Sequence, residues 1–285
     1  MNGGSITSNT STSRPGKSWD EIARLADCHT TAVQAWLSTR APRPARLDGL
    51  GTTACSTGHP VPLLNLALGG DYPPWTSAAV IDDEIQCVKE FFAERGVPWS
   101  WWLGPHLRPP DLPRRLEKHG LVCDRDRLPA MVAPLPARRS PPNPQAQVWQ
   151  AQSRSDLEAA STIRRTAFRF PEGAAADYFE AMETDWLNGD PARLYLARLP
   201  DSPPAAMGAL IMGAELPGVY VMATLPQWSR RGLGKAILDR ILTDAAASGH
   251  SLITLTASRF GYPLYRQYGF EHVFDYAIYR PFSLT

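Results

Sequence analysis

The second half of the chain alternates short apolar runs with one long apolar stripe at helical spacing. The stripe consists of Leu233, Ile237, Ile241 and Ala245, and it predicts an amphipathic helix that ends near Gly249. Short apolar runs bounded by proline, glycine and asparagine are typical of strands. The runs that we interpret as strands are residues 147–151, 193–198, 205–214, 219–225, 252–256 and 271–279.

Three further helices are predicted between these strands. Ser155 and Glu158 have the spacing of a capping box, which predicts a helix from there to about Phe168. Residues 175–187 and 262–268 are the other two helical stretches. The predicted order is β-α-α-β-β-β-α-β-α-β, which describes one domain of about 140 residues with α+β architecture.

A proline-rich stretch divides the chain into two nearly equal parts. Residues 134–144 contain five prolines, and such a run can neither continue a helix nor lie in a central strand. We therefore predict a disordered tail at residues 1–16, a first domain at residues 17–133, a linker at residues 134–144 and a second domain at residues 145–285.

Composition excludes several classes of protein. The 29 basic side chains balance the 28 acidic ones, which argues against a nucleic-acid binder. The four cysteines form no Cys-x-x-Cys pair, so neither a disulfide framework nor a metal site is expected. No signal sequence or membrane-spanning run is evident, and we expect a cytoplasmic protein that binds no membrane.

The loop at residues 224–235 is the strongest candidate for chemistry. A predicted strand ends before it and a predicted helix begins at about Gly232, where unpaired amides and the helix dipole favour a phosphate. Gly232 and Gly234 allow a ligand close to the backbone, and Arg230 and Arg231 add positive charge. The alternative is an ordinary strand-to-helix turn.

Two segments together resemble the GNAT superfamily of N-acetyltransferases. Residues 229–234 (Ser-Arg-Arg-Gly-Leu-Gly) are similar to its Arg/Gln-x-x-Gly-x-Gly/Ala signature, and residues 264–270 are similar to its Leu-Tyr-x-x-x-Gly-Phe segment. The resemblance covers about 140 residues. It implies an α/β/α sandwich with a mixed, mostly antiparallel sheet and splayed central strands. It also implies acetyl-CoA, or another acyl-CoA, as co-substrate.

The resemblance implies a role for each matching residue. The backbone of the fourth strand would pair with the pantetheine arm, the loop would hold the pyrophosphate, and Ser258 would line the other side. Tyr265 would protonate the leaving thiolate or at least hydrogen-bond it; the alternative is that Tyr265 packs in the core beside Phe270. Ser229 departs from the signature, which has Arg or Gln there, and Ser258 stands where many members have Asn. The residues implied in cofactor binding are Met222, Ala223, Thr224, Ser229, Arg230, Arg231, Gly232, Leu233, Gly234 and Ser258.

The first half shows weak similarity to this pattern. Aligning residues 71–77 with residues 224–230 superposes a proline and a tryptophan, and the same alignment places Gly96 on Gly249. We therefore predict two such domains in tandem, of which the first does not bind coenzyme A. The residues in the places of Arg230, Arg231, Gly232, Gly234 and Tyr265 are Ser77, Ala78, Ala79, Ile81 and Leu116.

The expected activity is transfer of an acetyl group to the primary amine of a small molecule by direct attack in a ternary complex. The candidates for a general base are Glu172, Asp177, Asp185 and Glu215, each also explicable as a surface charge. Two other functions stay open: a non-catalytic module that binds coenzyme A, and acetylation of a protein.

Overall fold

One sheet of eleven strands runs through the described part of the chain. The computed structural model describes residues 16–41, 43–139, 141, 143–171, 179 and 182–282. The spatial order of the strands is β1-β2-β3-β4-β11-β5-β10-β9-β8-β7-β6. The strands are β1 (Ala45–Asp48), β2 (Thr52–Ser56), β3 (Asn65–Gly69), β4 (Ser100–Leu103), β5 (Leu121–Pro134), β6 (Gln147–Gln150), β7 (Ala192–Arg198), β8 (Ala206–Ile211), β9 (Gly218–Thr224), β10 (Leu252–Thr256) and β11 (Glu271–Pro281).

Helices lie between the strands, and local sequence explains where several of them begin. Helix α4 has a capping box made by Ser153 and Asp156, two residues before the predicted one at Ser155, because Asp156 also accepts a hydrogen bond from the Trp149 indole. Most of the helix predicted at residues 175–187 lies outside the described residues. The described helices are α1 (Trp19–Thr39), α2 (Ala78–Ala93), α3 (Leu112–Lys118), α4 (Arg154–Phe168), α5 (Glu183–Asn188), α6 (Leu233–Ala246) and α7 (Tyr262–Gln267).

The sheet confirms the predicted fold class. Its pairs are antiparallel except β3 with β4 and β9 with β10, and these two pairs occupy corresponding places in the two halves. Alternate residues of a strand belong to different apolar clusters: Tyr195 packs with α6, whereas Leu194 and Leu196 pack with α4. Helices therefore cover both faces of the sheet.

The two halves exchange strands at the centre of the sheet. Strand β5, from the first half, lies between β10 and β11, while β11, the last strand of the chain, lies between β4 and β5. The described residues of the predicted linker, 134–144, contain no helix and no strand apart from the last residue of β5. The predicted boundary thus falls between β5 and β6, but the hydrogen bonding crosses it.

The tryptophans of β4 join the two halves. Trp101 is fully buried with α2 and α3, whereas Trp102 faces the other side and packs its ring 5.6 Å from that of Tyr276 on β11. This alternation follows the pleat of the strand. The four cysteines are unpaired thiols, and no helix among the described residues has the length and apolarity needed to span a membrane.

Candidate active site

Strands β9 and β10 diverge and leave a gap in the sheet. They pair in parallel only where Gly218 and Val219 meet Thr254 and Leu255, although both strands continue. The remaining backbone of β9 therefore has no strand partner on the β10 side. An extended ligand could add its own hydrogen bonds along this edge.

A bulge turns β9 toward the gap. Val221 has a φ of 47°, which is rare for a β-branched residue, and the pairing of β8 with β9 shifts register beside it. Four consecutive residues, 219–222, consequently line the same cavity, although side chains of a regular strand alternate between faces. No feature of the sequence predicted this bulge, because valine normally favours extended backbone.

The loop after β9 leads into a helix that begins without a capping side chain. Gly232 occupies the N-cap of α6 with a φ of 83°, and no side chain caps this helix. By contrast, serine side chains cap α1, α2 and α4. A helix start without a capping side chain has free amides and the positive end of the dipole available for an anion.

Residues of the loop and the preceding linker hold this conformation. Asn143 donates a hydrogen bond from Nδ2 to the carbonyl of Arg231 at 2.8 Å, and a Cβ at position 232 would lie 3.0 Å from the Asn143 Cβ. The guanidinium of Arg231 lies 4.8 Å from the centre of the Trp228 ring. Ser229 turns its hydroxyl to the carbonyl of Leu225 at 3.5 Å. The predicted linker therefore fixes the loop as well as connecting the halves.

A groove of about 860 Å³ runs from this loop to the gap between the strands. Among the predicted cofactor residues, Arg231 does not line it; its guanidinium lies over the Trp228 ring. Phe260 lines the groove although it is 81% exposed, and the resemblance gave no role for it. The predicted residues that line the groove are Met222, Ala223, Thr224, Ser229, Arg230, Gly232, Leu233, Gly234, Ser258 and Tyr265.

Tyr265 lies at the inner end of the groove. It is 6% exposed, and its ring lies edge-on to Phe270 at 5.8 Å. Burial raises the pKa of its phenol well above the usual value, so the hydroxyl stays protonated at neutral pH. A Cβ at Gly261 would lie 2.9 Å from the ring, so glycine makes room for the tyrosine. Within the described residues, the hydroxyl makes no hydrogen bond.

A second cavity, of about 210 Å³, opens on the other side of Tyr265. It shares Met222, Ser258 and Tyr265 with the groove. Its lining contains no carboxylate among the described residues. Both halves contribute to the wall, and the residues from the first half are Gln34, Leu37, Leu63, Leu64, Trp102 and Leu128.

The two predicted bases that the structure describes, Asp185 and Glu215, lie away from this cavity. Asp185 forms an ion pair with Arg40 at 2.9 Å, and Glu215 is exposed in the turn between β8 and β9. Neither lines the groove or the cavity. Glu172 and Asp177 lie outside the described residues.

The corresponding loop of the first half has a different helix start. The Ser77 side chain caps α2 by accepting a hydrogen bond from the amide of Val80 at 3.4 Å. One of the first amides of that helix is thus already used by the protein. The absence of a phosphate site there stays a prediction.

One family model matches the part of the chain that contains the candidate site. Residues 211–273 match the family model described as "Acetyltransferase (GNAT) domain". These residues contain the open helix start and Tyr265. The match therefore identifies a GNAT domain in this part of the chain.

Solved structures share the fold over most of the chain. A GCN5-related N-acetyltransferase from Kribbella flavida is 19% identical, with a TM-score of 0.66 over 92% of this chain and 95% of that one. One from Sphaerobacter thermophilus is 17% identical, with a TM-score of 0.62 over 91% and 90%. A tandem GNAT protein from the clavulanic acid biosynthesis pathway is 12% identical, with a TM-score of 0.61 over 94% and 96%. No curated protein shows significant sequence similarity to the chain.

Proposed function

We propose that the protein transfers an acetyl group from acetyl-CoA to a primary amine of a small molecule. One observation carries this proposal: a groove with an open helix start at its outer end meets a separate cavity at Tyr265. A pyrophosphate at the helix start would leave the pantetheine arm to follow the edge of β9. The thioester would then lie beside Tyr265, with the acceptor entering from the cavity.

The chemistry requires a donor near the sulfur. As the amine attacks the thioester carbon, the C–N bond forms, the C–S bond breaks and negative charge collects on sulfur. Burial makes the Tyr265 phenol a weaker acid than usual, so complete proton transfer to a thiolate of ordinary basicity is uphill. The phenol therefore acts by donating a hydrogen bond to the developing thiolate.

The cavity favours a small acceptor with an apolar body. Its volume of about 210 Å³ is below the range of roughly 300–1,000 Å³ that holds drug-sized ligands. Eight of its fifteen described lining residues are leucine, tryptophan, phenylalanine or valine, and Arg164 is the charged residue among the fifteen. These features argue against acetylation of a protein, which would need an open surface, and against a module that only binds coenzyme A, which would need no second cavity.

Turnover with a panel of amines tests the proposal. Acetyl-CoA is incubated with the full chain and, in turn, 2-phenylethylamine, hexylamine, spermidine and a lysine-containing peptide, and release of free thiol is measured. We expect the two amines with apolar bodies to be acetylated. Acetyl-CoA binding without turnover of any amine would support the non-catalytic module, and turnover of the peptide alone would support protein acetylation.

Filling the cavity from the first half should block the acceptor while sparing the cofactor. Leu128 lies on β5 and lines the cavity but not the groove. For Leu128→Trp we expect kcat/KM for the amine to fall at least about tenfold, because the indole occupies the acceptor's space. Binding of acetyl-CoA, measured by calorimetry, should not change. Val122→Trp, at an exposed position on the same strand, is the matched control.

A further inference from the structure

Arg164 places a buried positive charge in the wall of the acceptor cavity. This residue of α4 is 4% exposed, and it lines the cavity but not the groove. Arginine keeps its charge at any physiological pH and is seldom so deeply buried in proteins. The described lining of the cavity contains no carboxylate and no second cation, so the net charge of this described wall is positive.

Two aromatic rings hold the Arg164 guanidinium in place. Its central carbon lies 5.5 Å from the centre of the Phe170 ring and 5.6 Å from that of Phe179. The face of an aromatic ring attracts a cation but has no net charge, so these contacts position the guanidinium without neutralising it. Phe168, one turn after Arg164, also lines the cavity. This face of α4 is therefore turned toward the acceptor.

Gln34 adds a polar group from the first half of the chain. Gln34 and Leu37 are one turn apart on α1, and both line the cavity. Gln34 is partly exposed, and its side-chain amide makes no hydrogen bond with any described residue. The amide nitrogen of glutamine carries two donors. A ligand in the cavity can therefore accept a hydrogen bond from Gln34 and interact with the charge of Arg164.

We propose that the acceptor is an amine that also carries a carboxylate, selected by the charge of Arg164 and the amide of Gln34. This inference rests on the proposed function and narrows its substrate class. A fixed charge acts more strongly between mostly apolar walls than in water, because the effective dielectric constant there is lower. The charge therefore attracts a carboxylate in the cavity and repels a second ammonium group. This selection requires no direct contact between ligand and guanidinium.

The amine and the carboxylate of the acceptor occupy different parts of the cavity. Ser258 and Tyr265 also line the groove, so the amine faces them, whereas Arg164 and Gln34 line the cavity alone. The carboxylate takes no part in the bond changes. The amine nitrogen forms the C–N bond and loses one proton, while the C–S bond breaks and the thiolate takes up one proton. The carboxylate therefore decides which amine is bound and oriented for attack.

Amines that differ only in a second group test the selection in the wild type. Hexylamine, 6-aminohexanoate and 1,6-diaminohexane end in a methyl, a carboxylate and an ammonium group. Phenylalanine and 2-phenylethylamine form a second pair, with a shorter distance between amine and carboxylate. For at least one of the two carboxylates we expect kcat/KM at least about tenfold above that of its uncharged partner. The diamine should be the poorest of the three aliphatic amines.

Removing the charge of Arg164 should remove the preference for a carboxylate. Arg164→Met keeps a long unbranched side chain, and we expect the ratio of kcat/KM between carboxylate and uncharged amine to fall below about threefold. The comparison with the wild type cancels differences in amine basicity, because both enzymes receive the same amines. Arg165→Met is the matched control. Arg165 follows on the same helix and lines neither the cavity nor the groove, so this variant should keep the wild-type ratio.

Gln34→Leu decides the matter if Arg164→Met no longer folds. It should lower kcat/KM for the preferred carboxylate at least about threefold and leave that for hexylamine unchanged. The inference is overturned if the wild type uses both uncharged amines as well as their carboxylates, or if Arg164→Met slows both kinds of amine equally. A wild type that acetylates no amine at all overturns the proposed function instead.

Discussion

Replacing Tyr265 with phenylalanine should lower kcat by about tenfold to a hundredfold and leave the fold intact. The hydroxyl lies where the groove and the acceptor cavity meet and makes no hydrogen bond within the described residues, so its removal breaks no contact of the protein itself. The lost interaction exists only when charge develops on sulfur, and one such donor is worth roughly this factor or more. Steady-state kinetics with saturating acetyl-CoA and amine would measure the change.

A second tyrosine of the same helix provides the control. Tyr262 lies three residues earlier on α7, where its ring contacts His272 at 6.1 Å. Tyr262→Phe should keep the wild-type kcat. If Tyr265→Phe were equally active, Tyr265 would be a packing residue beside Phe270, and the assignment of a donor at the sulfur would fail.

Placing a carboxylate at position 234 should abolish cofactor binding and at the same time stabilise the protein. Gly234 is the second residue of α6 and lines the groove, and a Cβ there would have Thr224 Oγ1 at 3.6 Å as its nearest neighbour, an ordinary contact. Glycine is the poorest helix former after proline, so Gly234→Glu should stabilise the helix by about 0.5–1 kcal/mol. The substitution also puts a negative charge at the positive end of the helix. The same charge would repel a pyrophosphate.

The two effects of Gly234→Glu have opposite signs and can be measured separately. We expect acetyl-CoA to bind at least about a hundredfold more weakly by calorimetry, while the thermal midpoint rises. Val80→Glu is the control, since Val80 is an exposed residue in the first turn of α2 and does not line the groove. Unchanged binding in Gly234→Glu would show that the helix start is not the phosphate site.

Local signals in the sequence predicted the parts of the site that depend on short segments. The stripe from Leu233 to Ala245 and the two glycines at its start were sufficient to predict α6 and its loop, because helix periodicity and glycine conformation act over a few residues. The strand that precedes the loop was also predicted within one residue. The capping residue of α4 was misplaced because Ser153 and Ser155 both have an acidic residue three positions later.

The features that the sequence could not predict depend on residues far apart in the chain. Strand β5 has alternating charges at residues 124–127, and nothing near it specifies β10 and β11 as its neighbours. The hydrogen bond that the Tyr276 hydroxyl donates to Asp27 joins residues 249 positions apart in the sequence. The acceptor cavity also depends on residues far apart in the chain, because the first half supplies part of its wall.

The exchange of β5 and β11 makes each half depend on a strand from the other half. A chain shortened to residues 145–285 would lack the neighbour of β10, and an unpaired strand edge at the middle of a sheet is a template for aggregation. The first half would likewise lose the strand beside β4. The first half would therefore still be required to complete the sheet even if, as predicted from the sequence, it binds no coenzyme A.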